Sequence, residues 1–213
     1  MGLAVEVGML ADLLDNDEEG AKWLGESLAN ANAVLAERSL PTHSEPESLP
    51  PLDDRSIIGS FPYSFLHHLR RAYARWKQNP NQLATPCPED QDPASDPAID
   101  EESCMFDSHL LCHSDCEGFY FPIDFTDVII DDKDQGRIAG GLLGSSYRLH
   151  EELIAMAPCL GISNADVLSD TTVDEIRAAV ETESELWIEK GVWLTLYEAC
   201  RLSKQHSTAI CFG

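Results

Sequence analysis

SHLLCHSDCEGFYFPIDF, residues 108–125, is the stretch whose reading decides the fold of this chain. β-Forming residues stand on both sides of Ser114-Asp115-Cys116-Glu117-Gly118, the pattern of two strands joined by a five-residue connection, so the spacing predicts a hairpin. Val128-Ile129-Ile130 predicts a further strand, and the closing run Ser207–Phe212 (STAICF) predicts one able to pair with the hairpin. Strands confined to these places, among segments of helical spacing, predict an α+β fold. About five or six helices pack on a small, mostly antiparallel sheet containing the hairpin at 108–125.

Working outward, Asn16 and Glu19 stand at the interval of a capping box, and Leu24, Leu28, Ala31 and Leu35 follow as one apolar stripe. Phe61, Phe65, Leu69, Tyr73 and Trp76 mark a second helix, which Ser60 is expected to cap and Pro80 to stop. The opening residues fit two periods. Leu3, Val5, Val7 and Met9 alternate as in a strand, while Leu3, Val7, Leu10 and Leu14 share a helical face, and the helical reading is preferred. Residues 39–58 hold four prolines and read as a loop. Downstream, Ser145 or Ser146 caps a helix that turns Leu149, Leu153 and Met156 inward and ends at Pro158. Thr172 and Glu175 set a capping box for the next helix, and after Gly191 a last helix presents Trp193, Tyr197 and Cys200.

Charge bounds the partners. The 213 residues carry 14 Lys+Arg against 38 Asp+Glu, a net of -24, which repels phosphate backbones and anionic membranes and attracts cations. A basic protein or peptide is therefore the expected partner, with no nucleic acid and no membrane. A hydrophobic share of 43% fills a sizeable core, so a single domain over residues 1–213 is expected. No apolar run approaches the ~18 residues of a spanning helix. The N-terminal residues lack the basic region of a secretory signal, and Glu6 stands where myristoylation requires Ser or Thr. Seven cysteines in apolar contexts such as AMAPCLGI and STAICFG point to buried free thiols and a cytoplasmic protein.

The charge is also unevenly placed. His67, His68, Arg70, Arg71, Arg75 and Lys77 are expected to form a solvated basic face on the helix that starts near Ser60, whereas Gln78 to Asp132 contains no Lys or Arg. The Pro- and acid-rich segment at about 79–103 is expected to be a mobile loop able to fold back onto that helix.

The densest set of chemically capable side chains is His109, Cys112, His113, Asp115, Cys116 and Glu117. On a strand His109 and His113 share a face and Cys112 takes the other, so His109, His113 and Asp115 are the candidate metal ligands. His113, Asp115 and Cys116 are the candidate catalytic set, with Cys116 as nucleophile. Paired Cys-x-x-Cys elements are missing and the acidic surroundings disfavour a thiolate, so no metal and no cofactor is expected. Gly136, Gly140, Gly141 and Gly144 fit neither dinucleotide nor P-loop spacing, because Leu142 takes the place of the P-loop lysine. Asp131, Asp132 and Asp134 fail the calcium-loop register, which puts Lys133 and Leu142 where carboxylates are needed.

In general character the chain is similar to bacterial immunity and antitoxin-like proteins, which are small, acidic and cytoplasmic, although no motif identifies a family. The expected function is protein binding, as an inhibitor of a basic partner, with Asp100, Glu101 and Glu102 as the partner-binding residues and no enzymatic activity. The rival expectation is a metal-assisted or thiol-dependent hydrolase on the His109–Glu117 turn.

Overall fold

In the computed structural model, which describes residues 2–131 and 136–213, seven α-helices and six strands are found among the described residues. The chain runs β1 (Leu3–Val7), α1 (Met9–Asn16), α2 (Glu18–Glu37), β2 (Ser60–Phe61), α3 (Tyr63–Gln78), α4 (Pro97–Ser103) and β3 (Gly118–Phe121). It continues through β4 (Ile129–Ile130), β5 (Leu142–Ser145), α5 (Ser146–Met156), α6 (Asp170–Glu181), α7 (Trp187–His206) and β6 (Ile210–Phe212). The sheet order is β2-β1-β6-β3-β5-β4, antiparallel at every pairing except β3 with β5. This is the expected α+β class, with more helices than predicted and a mostly antiparallel sheet.

Strand alternation divides the interior in two. Phe119 and Phe121 of β3 and Cys211 of β6 face one side, where Leu24, Leu28, Ala31 and Leu35 of α2 cover them. Tyr120, Ile210 and Phe212 face the other, against α3, α5, α6 and α7, with Trp193 fully buried. The stripe read from α2 is thus its buried face, and helices cover both sides of one sheet.

The hairpin is not formed, and this is the main correction to the fold. Strand β3 pairs with β6 and β5, while residues 108–117 form turns. Their backbone donors go to a side chain instead: the Glu152 carboxylate accepts N–H bonds from His109 and Leu110, each 2.8 Å, and the Ser108 hydroxyl at 3.2 Å. A buried acceptor that satisfies these groups removes the need for a ladder partner. The opening residues are a strand and then a helix, rather than one helix, because β6 offers β1 a complete pairing edge.

Smaller shifts have local causes. Asp17, not Asn16, caps α2 by accepting the Gly20 N–H at 3.0 Å. Ser60 lies in β2, and α3 begins at Tyr63 after Pro62. Ser145 caps α5 as expected, Ser169 caps α6 in place of Thr172, and Gly191 lies inside α7. Gly144 has a packing reason: a Cβ there would sit 2.2 Å from the Tyr120 ring on the neighbouring strand. The aspartates Asp132 and Asp134 and Lys133 lie outside the described residues.

Candidate functional site

The turn at 108–117 holds its histidines as structure. His109 is fully buried, its Nδ1 accepting the Ser145 N–H at 2.9 Å and its Nε2 donating to the Thr126 carbonyl at 3.0 Å, an arrangement that requires the neutral ring. Burial also lowers its pKa. His113 stacks on Tyr120 with centroids 4.0 Å apart, and its two nitrogens lie 3.0 Å from the carbonyls of Ser114 and Phe119. Burial pushes its pKa down to about 4, overriding both carbonyl contacts. Asp115 instead meets His67, Nε2 to carboxylate 3.0 Å, and the exposed Cys116 Sγ lies 3.5 Å from the Ser114 hydroxyl. His113, Asp115 and Cys116 are therefore neighbours in sequence that make no relay, since each engages a different partner. Among the described residues no group of three or more His, Cys, Asp or Glu side chains is placed to hold a metal ion.

Glu152 escaped the sequence reading, although it organises the turn. It follows Leu149 by three residues on α5, the spacing that carries a side chain to the buried face, and that interval was the available signal. Burial raises its pKa to about 7 against the bonds from Leu110, His109 and Ser108, which favour the anion.

The basic face of α3 is only partly solvated, with Arg75 exposed and Arg70 and Arg71 buried. Arg70 and Arg71 are 5% and 3% exposed. The Arg70 guanidinium donates to the carbonyls of Leu110 and His113 at 2.8 and 2.6 Å, a use of cationic donors that spacing along one helix does not reveal. Arg71 and Arg75 converge on Asp96, and Lys77 lies 3.5 Å from Glu102. The acidic segment does fold back onto this helix, through a short 3-10 turn at Pro93–Ser95 and through α4.

Elsewhere the same economy holds. Arg55 and Arg201 share the buried Glu198, Arg137 bridges Glu37 and Asp131, Arg148 meets Asp124 and Glu151, and Arg38 donates to the Ile130 carbonyl. Carboxylates remain outward. Asp12, Asp15, Asp17, Glu18 and Glu19 are all exposed where α1 meets α2, and Glu6 and Glu26 are exposed close by in sequence. Of the residues expected to bind a partner, Asp100 is exposed, Glu101 accepts from Gln78 at 2.8 Å, and Glu102 is half-buried beside Lys77. A third acidic run, Glu181, Glu183 and Glu185, lies exposed between α6 and α7.

An α+β scaffold that commits its arginines to internal pairing and turns carboxylates to solvent defines an acidic, protein-binding kind of protein. The family model described as "Putative DNA-mimic protein" matches residues 1–212, and the chain belongs to that family. No curated protein and no solved structure matches it. The assignment corrects one expectation about partners: a flat exclusion of nucleic acid does not fit a DNA-mimic family, which implies partners that themselves bind DNA, whereas a basic protein partner fits it. Among the described residues no helix is long and apolar enough to cross a membrane.

Proposed function

We propose that the protein binds the nucleic-acid-binding surface of a basic protein, its carboxylates standing where that surface receives phosphates, and so keeps nucleic acid out. The carrying observation is the asymmetry between arginines paired within the fold and acids turned outward, with five exposed carboxylates against the exposed Lys22 at the α1–α2 junction. There Asp12 and Asp15 stand on α1, Glu18 and Glu19 open α2, and Asp17 between them is extended, so these exposed carboxylates gather at the corner where the two helices meet. A DNA strand offers one phosphate per about 3.4 Å of axis, and Asp12 and Asp15, three residues apart on α1, are separated by about 4.5 Å of axis. A surface of lysines and arginines that releases counterions from phosphates gains in the same way from these acids. Asp100 and Glu101 on α4 supply a second acidic face in this reading. The protein acts in the cytoplasm as an inhibitor, in the manner of an antitoxin.

The test is capture of host proteins on the immobilised chain at low salt, followed by elution with duplex DNA. The expected result is release of DNA-binding proteins by DNA at a concentration that leaves ionic strength unchanged. Captured proteins that bind no nucleic acid, or that DNA fails to displace, overturn the proposal.

A further inference from the structure

A cleft of about 270 Å³ opens between α2 and the sheet, far above the about 10–15 Å³ that holds one water. Cys211 of β6 and Phe119 of β3 form its floor, Met9 and Leu24 its walls, and Trp23 stands at its side. The floor follows from register: Cys211 pairs with Glu6 on one side and Phe119 on the other, so the three share a face. Helix α2 covers this face with Leu24 and Leu28 but leaves its N-terminal end open, and Trp23, one position off the buried stripe, is 59% exposed. Glu6 and Glu117 line the same cleft, on the chains flanking the floor strand. Among the described residues neither carboxylate makes an ion pair, and both are exposed.

We infer that this cleft receives an arginine side chain of the basic partner, its stem against Met9 and Phe119, its guanidinium over Trp23 and between the carboxylates of Glu6 and Glu117. The inference rests on the protein-binding reading above and adds to it a specific seat. Three features select the occupant. An apolar side chain would desolvate the two carboxylates without replacing their hydrogen bonds. A lysine would bring the charge but not a planar, weakly hydrated group able to stack on an indole. An arginine satisfies the wall, the ring and the acids together. Met9 begins α1 and Trp23 lies in the second turn of α2, so the cleft opens beside the acidic junction. A partner lying on those acids has an arginine within reach of it.

The experiment is calorimetric titration of the full chain with two probes, an arginine-glycine and a lysine-glycine peptide of equal length and charge, at roughly 50 and 500 mM salt. The expected result is tighter binding of the arginine peptide by about tenfold, the scale of a desolvated cation–π contact, with the margin surviving high salt. Trp23→Ala and, separately, the Glu6→Gln, Glu117→Gln double variant should each erase the margin. All these side chains are exposed, and unchanged thermal unfolding verifies that the fold is intact. The Asp15→Asn, Glu18→Gln, Glu19→Gln variant should weaken both peptides alike and keep the margin. Equal binding of the two peptides, or a margin that persists in both cleft variants, overturns the arginine seat while leaving the carboxylate surface standing. Binding of neither peptide at low salt overturns both readings.

Discussion

Arg71 and Asp96 form an ion pair with Nε 3.1 Å from the carboxylate and side chains only 3% and 7% exposed, joining α3 to the acidic segment before α4. Asp96 also caps α4 through the Ala98 N–H and meets the more exposed Arg75. Burial alone would raise its pKa, but the Ala98 N–H and the two guanidiniums outweigh it and hold the carboxyl below its ordinary value. Its contribution is present above the ordinary carboxylate pKa and is lost as pH falls through the depressed one. Asp96→Asn should lower stability by about 3 kcal/mol, because it leaves Arg71 buried beside a neutral amide. Urea unfolding at pH 7 measures this.

The same tie governs the segment at 79–103, proposed as the most mobile part of the chain. It contains no Lys or Arg, so trypsin is blind to it. A protease of broad specificity should cut first between Asn81 and Asp92, ahead of the Arg71–Asp96 anchor, and faster in Asp96→Asn. First cleavage within α2 or α7 would count against the assignment.

Stability should carry two pH dependences of opposite sign. His150, buried and beside Lys204, has its pKa lowered to about 4, as His113 does by burial. Such rings contribute stability present above pH ~6.5 and lost as pH falls toward the folded value. Glu152, raised to about 7 by burial, favours the fold below its ordinary pKa and loses that contribution as pH rises through 7. The stability gap between wild type and His150→Gln should therefore narrow from pH 7 to pH 5, while the gap for Glu152→Gln should narrow from pH 5 to pH 8. Melting temperatures across this range read both slopes.

Association with a basic, DNA-binding partner should be fast at low salt and slow as salt rises, because the outward charge acts by steering. Asp15→Asn, Glu18→Gln, Glu19→Gln should reduce the association rate by about tenfold at 50 mM salt and far less at 500 mM. Asp100→Asn, Glu101→Gln should have a smaller effect, since Glu101 already bonds Gln78. Stopped-flow mixing at several salt concentrations measures both.

Chelator should leave the melting temperature unchanged, and added zinc should not raise it, because both His109 nitrogens are committed to backbone groups and Asp115 to His67. Stoichiometric zinc in protein purified without added ions would reverse this.

The helices with clean stripes were legible: Leu24, Leu28 and Leu35 announce α2, and Ser145 with Leu149 and Leu153 announces α5. The 108–117 turn was not, because its conformation is set by Glu152 on a later helix, and no local period records such a partner. The basic face of α3 misled for a related reason. Whether Arg70 meets water or a carbonyl depends on where residues 110–113 fall. The acidity that bounds function was open in the composition and in the run Asp12–Glu19, but the corner between α1 and α2 that gathers these acids was not, since the opening residues fit both a strand and a helix.

Strand β6 is the central zip of the sheet, yet among the described elements it comes after both strands that it joins, β1 and β3. During synthesis β1 and β3 therefore have no common neighbour until residues 210–212 clear the ribosome, and both cores must wait half-covered. A nascent chain in that condition is exposed to aggregation through its open strand edges. Its mutual repulsion of like charges is then a safeguard against self-association, active long before any partner is met.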